Sequence, residues 1–238
     1  MTPMIEIWSY LSEGPLLWLT ATLVAYLIGD GIFRATGRQP WANPVLLAVI
    51  LLAVMLHVTT TDYATYFEGA QFVHFMLGPA TVALAVPLFG NLAQVRRMAL
   101  PMIAALLIGS LTAMLSAVAI GWAMGLDGAT LLSLVPKSTT APVALGISEQ
   151  IGGSPTLTAV LVILTGIIGA IVVTPLLNLL RVKDWRARGF ATGVAAHGIG
   201  TARAFQVNET AGAFAGIGMG LNALLTALIA PYIAGLFL

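Results

Sequence analysis

Long apolar runs follow one another along the chain, at about 15–33, 43–60, 70–90, 98–124, 128–150, 155–180, 189–207 and 211–237. A membrane-spanning helix needs about 20 mostly apolar residues, whereas barrel strands would show alternating segments of about ten. These runs do not alternate. They predict an all-α polytopic membrane protein with about seven to eight hydrophobic segments. Several runs open on proline (Pro15, Pro44, Pro101, Pro155), which loses little in a first helical turn because its missing N–H would have no partner there. The linkers are short, so residues 1–238 read as a single transmembrane domain.

Composition agrees. Hydrophobic residues make up 59% of the chain and charged residues 8%, against about 25% charged in soluble domains. Much of the exterior must therefore face lipid. A net charge of +1 offers no basic face for nucleic acid, and the absence of cysteine removes disulfides and thiolate chemistry. Residues 1–13 carry Glu6 and Glu13 but no Lys or Arg. A signal peptide begins with a basic region, so the first run is expected to be a retained span.

Basic residues orient the segments. Arg34 and Arg38 share one loop, Arg96 and Arg97 a second, and Arg181, Lys183, Arg186 and Arg188 a third. The positive-inside rule places these loops in the cytoplasm. The N-terminus is then expected outside. Three runs separate Arg97 from Arg181, however, and three crossings would put those loops on opposite sides. The segment 128–150 is expected not to cross, because Pro136-Lys137-Ser138-Thr139-Thr140-Ala141-Pro142 interrupts it. Two prolines there break a continuous helix. A re-entrant pair of half-helices resolves the conflict; a kinked spanning helix is the alternative.

A short repeat supports the break. Residues 80–86 (ATVALAV) match 141–147 (APVALGI) at four of seven positions. Each copy follows a proline-bearing interruption and precedes a long apolar helix. The expectation is an inverted repeat with two broken or re-entrant helices near the midplane, a recurring transporter design.

Chemistry is sparse. Lys137 and Arg203 are the two bases inside apolar segments, where a charge costs about 2.5–3.5 kcal/mol at the bilayer centre on insertion scales. Either could snorkel, or pair with Glu149 or Glu209; either could line a polar cavity. Ser138, Thr139 and Thr140 precede the half-helix that starts near Ala141, and a helix start favours an anion. Pro79, Ala80 and Thr81 mark the corresponding start in the first copy. A second cluster holds His197, Gly198, Gly200, Thr201 and Arg203, joining a titratable ring to a fork-shaped donor. Asn222 is candidate polar lining, and His197 or Glu149 could couple a proton. No Walker loop, nucleotide fingerprint or His-Glu-x-x-His motif is present, so neither an enzyme nor a metal site is expected. No cofactor is expected either.

Four motifs resemble the LrgB/CidB family of bacterial membrane proteins, to which a plant plastid glycolate/glycerate transporter is related. They are Gly78-Pro79-Ala80-Thr81 through Leu88, Ser133 through Pro142 to Gly153, His197-Gly198-Ile199-Gly200-Thr201-Ala202-Arg203-Ala204, and Gly218-Met219-Gly220-Leu221-Asn222. They cover the chain from about residue 70 to its end. The resemblance implies two readings. One is a membrane transporter of small monocarboxylates of the glycolate, glycerate, pyruvate or lactate class. The other is a holin-like or antiholin-like protein that modulates murein hydrolase activity and autolysis, beside a small LrgA/CidA-type membrane partner. Gly/Ala-rich helix faces also suit a homo-oligomer.

Overall fold

The computed structural model describes residues 14–76 and 92–236, with the single positions 79 and 83 between them. Packing divides the chain into two compact units, Met1–Ala80 and Thr81–Leu238.

In the first unit, helices α1 (Pro15–Ala35), α2 (Pro44–Thr59) and α3 (Tyr63–Phe75) follow in sequence, with a 3-10 turn at Pro40–Ala42. Each boundary has a local cause. Pro15 occupies the first turn of α1, and Arg34 sits in its last turn, where a cation complements the helix dipole. Asn43 caps α2 by accepting from the N–H groups of Val45 and Leu46 at 2.9 and 3.2 Å. Close approach fixes the pairing of α1 with α2: a Cβ at Gly29 would lie 2.7 Å from the Pro44 carbonyl oxygen. Trp18 meets Tyr66 of α3 edge-on, with ring centroids 5.9 Å apart.

The second unit contains α4 (Leu92–Arg97), α5 (Ala99–Ala123), α6 (Gly128–Ser133), α7 (Ala141–Gln150), α8 (Pro155–Leu179), α9 (Trp185–Val207) and α10 (Glu209–Ala234). Three of them, α5, α8 and α10, join α1 as the four helices among the described residues long and apolar enough to cross a membrane. Their outward faces suit lipid: Leu100, Ile108 and Leu179 are 80%, 69% and 79% exposed. Four of the seven to eight hydrophobic segments that hydropathy predicts thus form such helices among the described residues. The difference has physical causes. Helix α2 has 16 residues, about 24 Å at 1.5 Å per residue, short of a hydrocarbon core about 30 Å thick. Part of the 70–90 run lies outside the described residues. The other two apolar runs, 128–150 and 189–207, fold back on themselves.

The first hairpin is the one expected from the proline-bearing break. Helices α6 and α7 flank irregular residues 134–140. At its base, Ser154 donates its backbone N–H to Ser133 Oγ at 2.8 Å, and Thr158 donates to the Ser133 carbonyl at 3.2 Å. At its tip, Ser138 reaches Asn222 of α10. The chain therefore enters and leaves at the same level.

The second hairpin lies inside α9, where hydropathy alone predicts a crossing. Ala196 (φ −127°, ψ 15°) and His197 (φ 40°, ψ −136°) interrupt the helix. A Cβ at Gly200 would lie 3.2 Å from the Thr192 carbonyl oxygen. In a straight helix residues 192 and 200 would be about 12 Å apart. The arms 185–195 and 198–207 thus run back to back. Arg188, assigned to a loop by its sequence neighbours, sits on the first arm and is buried.

The two hairpins enter from opposite ends of the unit. Arg97, Arg181, Lys183 and Arg186 mark the basic end, where α5, α9 and α10 begin and α8 finishes. A core of Met102, Leu106, Phe190, Val194, Phe214 and Ile217 fills this half. A separate core that includes Met114, Val118, Leu131, Val135, Ile147 and Ile233 fills the far half, around the first hairpin. Small residues let the second hairpin close on α10: Cβ atoms at Gly189 and Gly193 would each lie 2.7 Å from a carbonyl carbon, of Ala211 and Ala215.

Candidate functional site at the two helix breaks

Between the two apolar cores lies a polar layer, and Asn222 is its hub. It sits midway along α10 and is 1% exposed. Its side-chain amide donates to the Ser138 carbonyl at 3.1 Å and to the Val194 carbonyl at 3.2 Å. Its oxygen accepts from the Ser110 hydroxyl of α5. One residue therefore ties the tip of the first hairpin, the last turn before the second break, and a spanning helix. Both amide protons and the oxygen are engaged, which makes Asn222 a support for the breaks more than a ligand for solute.

Around the first break, Lys137 is partly buried and its ammonium donates to Ser138 Oγ at 3.2 Å. Ser138, Thr139 and Thr140 are 6%, 1% and 6% exposed. Thr140 is the N-cap residue of α7, yet its hydroxyl makes no capping bond, and Pro142 occupies the first turn. The Thr139 hydroxyl is buried and has no hydrogen-bond partner among the described residues. A buried hydroxyl normally finds a partner, so this group is an available donor or acceptor beside a helix start.

At the second break, the His197 ring packs against α8. Its Nε2 lies 2.9 Å from the Val162 carbonyl. Thr201 donates to the His197 carbonyl at 2.7 Å, one turn into the second arm. Gly166 makes room for the imidazole, because a Cβ there would lie 2.6 Å from Cε1. The positive φ of His197 is uncommon for a residue other than glycine.

The structure thus brings Lys137, Ser138, Thr139, Thr140, His197, Thr201 and Asn222 to the two breaks. Gly198 and Gly200 open the second arm, with Gly200 packed against the first. Arg203 lies further down that arm, where it lines a small cavity with Arg188, Thr174 and Trp185 at the basic end. Arg188 there donates to the Val182 carbonyl at 3.1 Å, and its guanidinium stacks 4.7 Å over the Trp185 ring. Glu149 is exposed at the far end of α7. Ala80 and Thr81 lie outside the described residues, as does the 80–86 copy of the repeat apart from Ala83, and Pro79 is described only as a single exposed helical position. Ser110 and Gly166 escaped the sequence reading, since an isolated serine or glycine in an apolar helix carries no motif. Among the described residues no group of three His, Asp or Glu is placed to hold a metal.

Comparison with known proteins covers nearly the whole molecule. A family model described as the LrgB-like family matches residues 22–236. The chain is 33% identical to the Bacillus subtilis protein YwbG over 90% of its own length and 95% of that protein's. It is 31% identical to the holin-like protein CidB of Staphylococcus epidermidis over 93% of this chain and 96% of that one. It is 30% identical to the antiholin-like protein LrgB of Bacillus cereus, over 91% and 94% respectively. No solved structure matches. Apolar spans around a supported polar layer, and end-to-end likeness to these membrane proteins, lead to one conclusion: the chain belongs to the LrgB-like family.

Proposed function

We propose that this protein is a holin-like or antiholin-like component of the bacterial cytoplasmic membrane that modulates murein hydrolase activity and autolysis. The observation that carries this reading is collinearity. The likeness to proteins named holin-like CidB and antiholin-like LrgB extends over more than nine-tenths of both chains. The expected partner is a small LrgA/CidA-type membrane protein, alongside a second copy of the chain itself. The test is a strain lacking its own copy, complemented with this chain. Detergent-triggered lysis and zymogram activity should both shift severalfold relative to the empty vector. Unchanged lysis despite stable membrane expression would sink the reading.

A second reading, transport of small monocarboxylates, is favoured by the Thr139 hydroxyl buried without a partner. Along the chain it lies between Lys137 and the start of α7. Amide donors of a first turn, the positive end of a half-helix and an ammonium together suit a carboxylate, and opposed broken helices are a transporter device. Of the two groups considered for proton coupling, His197 stands in the polar layer and Glu149 does not. Proteoliposomes containing the protein should accumulate labelled glycolate, glycerate, lactate or pyruvate saturably, and Lys137→Ala should abolish that uptake. Leakage without saturation would leave the first reading alone.

A further inference from the structure

Away from the polar layer, a cavity of about 350 Å³ lies along the second unit, between α5 and the first arm of α9. Its walls are small residues at helical spacing, Ala105 and Gly109 on one side, Ala191 and Ala195 on the other, over the rings of Phe190 and Phe214. Ala105, Ala191 and Ala195 are exposed, so the groove opens on the outside of the unit.

Three observations bear on what fills it. The first is length. Along α5 the groove extends from Met98 to Ala113, about 22 Å at 1.5 Å per residue. That equals half of a bilayer about 40–45 Å thick including its headgroups. The second is calibre. Spread over that length, about 350 Å³ leaves a bore of roughly 16 Å², slimmer than a helix about 10 Å wide and on the scale of a single hydrocarbon chain. The third is charge. Arg186 lines the groove at its basic end, and Arg96 and Arg97 immediately precede Met98 on α4. Against these three bases stands Asp184, which takes Nε and Nη2 of Arg186. The mouth therefore keeps an excess of positive charge, while the interior is apolar.

We infer that this groove is a lipid site, seating one acyl chain of an anionic phospholipid whose headgroup meets Arg186, Arg96 and Arg97. Basic pockets between membrane helices on the positively charged side recognise such headgroups. The inner end of the chain then lies against Val194 and Ala195, the residues that lead directly into the second helix break. Lipid occupancy supports the first arm of α9 on its outward face.

Native mass spectrometry of the full-length protein in detergent, with equal amounts of dioleoyl phosphatidylglycerol and dioleoyl phosphatidylcholine, tests this. One phosphatidylglycerol should be retained in preference, by about fivefold or more, as each basic residue near a headgroup contributes. Arg186→Gln should reduce the preference, and Ala191→Phe, which fills the groove, should remove the bound lipid of either kind. Ala105→Phe fills it from the opposite wall and carries the same expectation should Ala191→Phe fail to fold. Equal retention of the two lipids by the unaltered chain would overturn the headgroup assignment. An undiminished lipid adduct in the filled variants would overturn the site itself. So would loss of a second copy of the chain with no change in lipid, which would give the groove to a protein neighbour.

Discussion

Asn222 donates a hydrogen bond to the Ser138 carbonyl at 3.1 Å, joining the middle of α10 to the tip of a hairpin 84 residues earlier in the chain. The same amide holds the Val194 carbonyl at 3.2 Å. Two breaks that enter from opposite ends therefore share one support.

Asn222→Ala should loosen both tips together. It leaves two buried carbonyls and the Ser110 hydroxyl without their partner, and interhelical hydrogen bonds in membrane proteins average about 0.6 kcal/mol and reach about 1.7. A loss of about 1–3 kcal/mol is expected, read as a lower melting temperature in detergent. Hydrogen exchange should rise at both 134–140 and 194–198. A rise at one break alone would contradict the shared support.

Gly189→Val and Gly193→Val should separate α9 from α10. Added side-chain atoms at either site meet Ala211 or Ala215 backbone, and backbone cannot swing aside as a side chain can. Overpacking of this kind costs about 1–3 kcal/mol. Gly146→Ala is the matched control, since a Cβ there meets nothing within 4 Å. The measurement is thermal unfolding of the three variants side by side.

At His197 the ring and the backbone can be tested apart. His197→Gly keeps the φ of 40° at little steric cost and loses the ring; His197→Ala loses the ring and keeps the strain. Strained backbone of this kind costs of order 1–3 kcal/mol. His197→Gly should melt above His197→Ala by a few degrees. The reverse order would show that the break is not held in this conformation.

Acid dependence at the start of α9 follows from Asp184. Hydrogen bonds from the Arg186 side chain hold its carboxyl below its ordinary value of 3.8, at about 2. A depressed carboxyl contributes stability above the unfolded value, and that contribution is lost as pH falls through the folded one. Asp184→Asn keeps an acceptor for the Arg186 N–H but removes the charge. The gap in melting temperature between wild type and Asp184→Asn should be present near neutrality and close as pH falls from 3.8 to about 2. A gap that persists at the acid end would mean the carboxylate charge is not its source.

Hydropathy and charge bias made much of this legible. The break at Pro136–Pro142 was readable because proline and a charge interrupt an apolar run, and because loop bases conflict with three crossings. The second hairpin was not. Ala196 and His197 carry no breaker signature, and glycines around them suit a close-packed straight helix equally well. Arg188 looked like a loop base because Arg181, Lys183 and Arg186 precede it, while its guanidinium in fact turns inward to the Val182 carbonyl. The hydroxyls beside Lys137 were legible as a cluster; that the Thr139 hydroxyl is buried without a partner among the described residues depends on packing that no local spacing encodes. Asn222 was visible as a lone polar residue in an apolar helix, but its role depends on two carbonyls distant in sequence.

The doubled-back path of 185–207 also bears on how the chain is made. Both arms begin and end beside the end of α8, so a ribosome finishes this hairpin before α10, whose backbone closes on Gly189 and Gly193, has been synthesised. A hairpin that carries buried Arg188, Thr192, His197 and Arg203 gains little from lipid by itself. Membrane integration of this segment is therefore expected only once α10 has been synthesised, and a chain truncated ahead of Glu209 should leave residues 185–207 open to added protease.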